Sequence, residues 1–183
     1  MQDLSLHILD VVENSIDAGA KRVEITIDEN TKKNLLIVKI KDDGEGMNKK
    51  TLAKALDPFF TTKKTRRIGL GLSMLAQATK EAEGSFDITS KKGKGTKVTA
   101  KFVYDHIDRK PIGNMAETII ALVASNGLKA DFIYKHSKNG KDFVFDTRYL
   151  KKELNGILIN EPEVLNLLRK RILTELKRIK ART

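Results

Sequence analysis

The sequence predicts an α+β fold: a two-layer α/β sandwich with helices stacked on one face of a mixed sheet, plus a small C-terminal α/β domain. Three observations carry this. The chain opens on an amphipathic helical pattern, two strand-like runs follow directly, and a second helix–strand–strand group ends near residue 103.

The opening helix is expected from Asp3 to Ala18. Leu4, Ile8, Val11, Val12, Ser15 and Ile16 share one face, and Gly19 supplies the stop. Val23, Ile25 and Ile27 alternate with polar residues, as in a half-buried strand. Leu35 to Ile40 is a more continuous apolar run, read as a central strand that delivers Asp43 and Gly44 to the loop at its end. Asn48 is placed to cap a short helix through Leu56. Residues 57–68, rich in Thr, Lys and Arg, read as an irregular lid, followed by a helix from Leu70 to Glu83 that stops at Gly84. Ser85–Ser90 and Thr96–Val103 alternate as strands around Lys91-Lys92-Gly93-Lys94-Gly95.

The character changes near Tyr104–Pro111, so the domain boundary is placed there, giving 1–104 and 105–183. In the second part Asn114 and Glu117 form a capping-box-like helix start, and the helix ends at Gly127. Lys129–Tyr134 and Asp142–Phe145 flank the hairpin turn Asn139-Gly140. Pro162 and Glu163 open a last helix striped by Leu165, Leu168, Ile172, Leu176 and Ile179.

Composition narrows the function classes. The 183 residues contain no cysteine, which excludes a disulfide framework, a Cys-based zinc site and thiol catalysis. No apolar run approaches membrane-spanning length, and the N-terminus has no signal-peptide pattern, so a cytoplasmic protein is expected. The formal charge of +11 is spread along the chain, although Arg169–Arg182 is dense in Lys and Arg. A basic chain can bind nucleic acid through phosphate contacts; a solvated Lys-rich surface explains the same charge.

Four segments carry the chemistry: Asp10-Val11-Val12-Glu13-Asn14-Ser15-Ile16-Asp17-Ala18; Asp43-Gly44-Glu45-Gly46-Met47; Asp57-Pro58-Phe59-Phe60-Thr61-Thr62-Lys63 through Gly69-Leu70-Gly71-Leu72; and Gly93-Lys94-Gly95-Thr96. Together and in this order, over about residues 3–104, they resemble the ATP-binding domain shared by gyrase, Hsp90, sensor histidine kinases and the mismatch-repair protein MutL, the GHKL or Bergerat-fold superfamily.

That resemblance implies ATP and Mg²⁺ as ligands and assigns roles. Asn14 falls where the family places a magnesium ligand, and an amide oxygen suits a hard cation that bridges phosphates. Asp10, one turn earlier, matches the general base of gyrase and MutL, which is there a glutamate; the shorter side chain bears on its reach to water. Asp43 would accept from the adenine amine, with Gly44, Gly46 and Met47 close to the base, and Thr96 would support the same contact. Gly69, Leu70 and Gly71 would bring main-chain amides to the phosphates at a helix N-terminus. Lys63, Lys64, Arg66 and Arg67 could meet the phosphates, two of the four at most. Phe59 and Phe60 read as hinge packing rather than base stacking.

The Asp57–Lys63 and Gly69–Leu72 segments look most like sensor histidine kinases, and Glu13–Ala20 looks like MutL. No phosphoacceptor hairpin fits upstream of the domain. His7 reads as a partly exposed helix residue, His106 as a loop residue and His136 as a surface residue. Three functions therefore stay open: an Mg-ATP-binding regulator that controls or phosphorylates a partner protein; a weak MutL- or gyrase-like ATPase with Asp10 as base; and a basic nucleic-acid-binding module with a degenerate ATP site. Similar two-part chains accompany iron-hydrogenase and quinone-reductase-type proteins, so the resemblance implies a redox-enzyme subunit as a candidate partner.

Overall fold

The computed structural model describes residues 3–57 and 70–181. The elements run α1 (Leu4–Asp17), β1 (Arg22–Asn30), β2 (Leu35–Asp42), α2 (Lys49–Lys54), α3 (Gly71–Glu81), β3 (Ser85–Lys91), β4 (Gly95–Val103), α4 (Met115–Asn126), β5 (Asp131–Lys138), β6 (Lys141–Asp146), α5 (Thr147–Glu153) and α6 (Pro162–Arg178). Side-chain caps start several helices where the sequence places them. Asp3 accepts from Leu6 N in α1, Asn48 from Thr51 N in α2 and Asn114 from Glu117 N in α4.

The strands form one mixed sheet in the order β3-β4-β2-β1-β5-β6. All neighbours are antiparallel except β1 and β5, which are parallel. Register places Ile25 opposite Ile40, Ile40 opposite Val98 and Ile25 opposite Tyr134. Because side chains alternate faces, these residues point to the same side. There they share one core with Leu4, Ile8 and Val12 of α1, Leu75 and Ala78 of α3, and Ile119 and Val123 of α4.

The strands beyond Tyr104 join the sheet of the first segment. β5 runs beside β1, and α4 packs on α1 in the common core, so residues 105–181 extend the first layer pair and do not stand apart from it. The connection itself is tied down: Leu4 N donates to Pro111 O and Ser5 N to Ile112 O. Helix α6 lies on α4 and β6 through Val164, Leu168, Ile172 and Leu176, with Leu165 only half-buried. Helix α5 is absent from the sequence expectation. It follows β6 without a linker, capped by Asp146 accepting from Arg148 N. No described helix is long and apolar enough to cross a membrane.

Two histidines depart from expectation. His7 is buried on α1, not partly exposed, and His136 is buried on β5, not on the surface. Both sit on the inward side of their elements: His136 continues the alternation of Phe132 and Tyr134. His106 does lie in the connection after β4, where its Nδ1 accepts from Asp108 N.

Candidate functional site

A cleft of about 510 Å³ opens where the C-terminal half of α1 meets the ends of β2 and β4, roofed by α2 and the start of α3. Asn14, Ser15, Asp42, Gly46, Met47 and Thr96 reach it from α1, the β2 end and β4.

Asp42 is its organising group. It is the last residue of β2 and continues the inward series Leu36, Val38, Ile40. Its Oδ2 accepts from Ser15 Oγ at 2.8 Å, and its Oδ1 accepts from Gly44 N at 2.9 Å and Thr96 N at 3.1 Å. A carboxylate offers about four lone-pair sites. Three neutral donors thus fix this group in place and leave part of Oδ2 for a donor in the cleft. Among the described residues it has no cationic partner.

Asp43 is not in the cleft. It is exposed on the opposite face, and its Oδ1 accepts from Lys21 N and Arg22 N, each at 2.8 Å, closing the turn between α1 and β1. The carboxylate that reaches the cleft from the end of β2 is Asp42, not Asp43, and strand parity is the reason. Read as Asp-x-Gly-x-Gly, the motif is Asp42-Asp43-Gly44-Glu45-Gly46. The alternation of β2 was the signal that would have found it. The helical pattern marks Ser15 only as part of the helix's inward face; its hydroxyl donates to Asp42 and helps to hold it.

The loop after Asp42 is clamped from both sides. Glu45 N donates to Ala18 O, Gly93 N donates to Glu45 O at 2.6 Å, and Met47 N donates to Ser90 Oγ. At Gly46, whose φ is +63°, a Cβ would run into the carbonyl of Lys91; at Gly44 it would meet Ala18 O at 2.9 Å. Gly46 thus lets the loop lie against the β3–β4 turn, and Gly44 against the end of α1.

Asn14 lines the cleft with its side-chain amide unbonded among the described residues, one turn from Asp10. Asp10 is exposed and does not line the cleft; its Cβ lies against Gly71, where any side chain would meet it at 2.7 Å. Gly71 therefore sets how closely α3 approaches α1. Leu70 borders a neighbouring groove with Leu56, Met74 and Phe86 instead of the cleft, and Leu72 reaches the cleft in its place. Phe59, Phe60, Lys63, Lys64, Arg66, Arg67 and Gly69 lie outside the described residues. Among the described residues no three His, Asp or Glu side chains gather as a metal site. A cation here would rest on Asn14 and on the ligand's own oxygens.

The family described as histidine kinase-, DNA gyrase B- and HSP90-like ATPase matches residues 2–106, more than half of the chain. The chain belongs to this ATPase family. Sporulation kinase C of Bacillus subtilis is 32% identical over 88 residues, 48% of this chain and 20% of the kinase. DNA mismatch repair protein MutL of Shewanella oneidensis is 45% identical over 56 residues, 31% of this chain and 8% of MutL. The chain therefore spans a fifth or less of the length of these two relatives. A crystal structure of the N-terminal domain of a DNA repair protein superposes with a TM-score of 0.55 at 15% identity, covering 79% of this chain and 52% of that one. That likeness is one of fold. The ATPase family thus accounts for the α/β layers and the cleft, and both kinase-like and MutL-like sequence features are present in one chain.

Proposed function

We propose that this ATPase-family chain is an Mg-ATP-binding regulator whose nucleotide state controls a partner protein. The observation that carries the reading is Asp42: a carboxylate at the inner end of the cleft, held by Ser15, Gly44 and Thr96, with capacity left for one more donor. The exocyclic amine of adenine is such a donor. A guanine carbonyl at the same place would face negative charge and leave the open position of Asp42 Oδ2 without a donor, which costs more than a missing contact.

Asn14 supports the magnesium part of the reading. Its amide oxygen is a hard neutral ligand suited to Mg²⁺, which keeps most of its waters and takes the rest of its ligands from phosphates. Asp10 supports slow turnover at most: it is a methylene shorter than glutamate and stands outside the cleft. Binding with signalling to a partner, through phosphate transfer to its Ser or His or through shape alone, fits these residues better than rapid hydrolysis.

Calorimetric titration with ATP, ADP and GTP, with and without Mg²⁺, tests this. ATP should bind in the micromolar range with Mg²⁺ dependence, and Asn14→Ala should abolish that dependence. Asp42→Asn should lose ATP while Asp43→Asn keeps it. An unaltered Asp42→Asn titration, or no ATP binding by the wild type, would sink the reading.

A further inference from the structure

Ser90 stands just behind the cleft, on β3, directly opposite Thr96 of β4. It does not line the cleft, yet three site elements meet on its hydroxyl. Met47 N donates to it at 2.8 Å, Thr96 Oγ1 lies at 2.9 Å and Gly95 O at 3.1 Å.

A serine hydroxyl has one proton and two acceptor positions. Gly95 O is a carbonyl and can only accept, so it takes the Ser90 proton. Met47 N–H fills one acceptor position of Ser90, and the Thr96 hydroxyl proton fills the other. This assignment satisfies every group and uses all the capacity of Ser90. Its consequence falls on Thr96: with its proton turned back to Ser90, the Thr96 oxygen presents only lone pairs to the cleft. Asp42 is acceptor-only as well, so neither group donates toward the ligand.

Building on the adenine-nucleotide reading above, we propose that Ser90 is a positioning residue that sets base specificity. It fixes the polarity of Thr96, so that the cleft admits a base edge presenting an amine and rejects one presenting a carbonyl. The discriminating ligand is inosine triphosphate, which carries a carbonyl where adenine has its amine and a proton on N1 where adenine has a lone pair. Ser90→Ala frees the Thr96 proton to rotate and donate to that carbonyl. It also removes the Met47 N–H acceptor, which weakens binding of any nucleotide.

The experiment measures ATP and inosine triphosphate affinities for the wild type, Ser90→Ala and Ser90→Thr, with a thermal melt of each. The ATP-to-inosine preference should fall roughly tenfold in Ser90→Ala, the equivalent of one hydrogen bond in an otherwise unchanged site, and return in Ser90→Thr, which keeps the hydroxyl. A lowered melting temperature with an unchanged preference overturns the proposal and leaves Ser90 a packing residue. No ATP binding by the wild type refutes the adenine reading itself, a separate result. If Ser90→Ala does not fold, Thr96→Val reads the same proton. It should weaken ATP and leave inosine triphosphate unchanged; equal losses of both overturn the proposal.

Discussion

Two buried carboxylates on the same face of one sheet, Asp42 and Glu29, are held in opposite ways. Asp42 ends β2 and is fixed by three neutral donors beside a cleft. Glu29, near the end of β1, is fully buried and surrounded by charge and hydrogen bonds. His136 Nε2 lies 2.9 Å from its Oε1, while Tyr104 OH at 3.0 Å and Lys138 Nζ at 3.2 Å reach its Oε2. Tyr134 OH completes the group at 2.6 Å from His136 Nδ1. A carboxylate closed in by a cation and by partners from distant strands fastens β1, β5 and the end of β4 together. One held by dipoles alone and open on one side is built to meet a ligand. The comparison teaches that the partners of a buried charge, more than its burial, separate a fastening from a site.

The sharpest way to break this contrast is to remove each carboxylate. Glu29→Ala leaves the buried His136 and the half-buried Lys138 without their counterpart, and breaking a buried charged pair costs about 3–5 kcal/mol. Chemical denaturation should show that loss, while the folded fraction keeps its ATP affinity. Asp42→Asn should do the reverse: a roughly 10- to 100-fold loss of ATP affinity, the value of one hydrogen bond to a charged group, with little change in the denaturation midpoint. Asp43→Asn keeps an oxygen for Lys21 N and Arg22 N and should shift affinity by less than about twofold, well below the effect at position 42. Equal stability losses at 29 and 42 would erase the distinction.

Acid sharpens it further. Burial alone would raise the Glu29 carboxyl, but hydrogen bonding and charge from His136, followed by Lys138, hold it below its ordinary value of 4.5. A depressed carboxyl contributes stability that is present above that value and lost as pH falls through the folded one. The gap in denaturation midpoint between wild type and Glu29→Gln should therefore narrow between pH 6 and pH 3. A gap that stays constant would remove the charge from the argument.

What was legible in the sequence follows the range of the interactions. Helix starts at Asp3, Asn48 and Asn114 and the alternation of β1 through β4 are local signals, and the structure places them within a few residues of expectation. The site was legible to within one residue: a Gly-rich loop after a central strand marks the place, and only the parity of Leu36, Val38 and Ile40 assigns Asp42 inward and Asp43 outward. The pairing of β1 with β5 was not legible. It brings Glu29 to His136 across 107 residues, and nothing local in either strand names the other. For the same reason residues 105–183 read as a separate domain and His136 as a surface residue.

The smallest effect tests a third buried group, His7. It is a buried residue of α1, and among the described residues its Nε2 has no hydrogen-bond partner. Burial first, then the charge of Lys110, lowers its pKa below 6.5; Asp10, Asp3 and Glu81 oppose the shift without overcoming it. A histidine held neutral in the fold protonates more readily in the unfolded chain. Its contribution is therefore lost as pH falls from 6.5 toward the lowered folded value, the same acid side as for Glu29 but in a higher window. His7→Phe keeps the shape, removes the unpaired nitrogen and cannot titrate. Its stability should gain on that of wild type as pH falls from 7.5 to 5.5. Every other ionisable group is common to both proteins, so the difference between their urea midpoints at the two pH values isolates His7. Parallel pH profiles would mean that this nitrogen finds a proton or a partner in the folded chain.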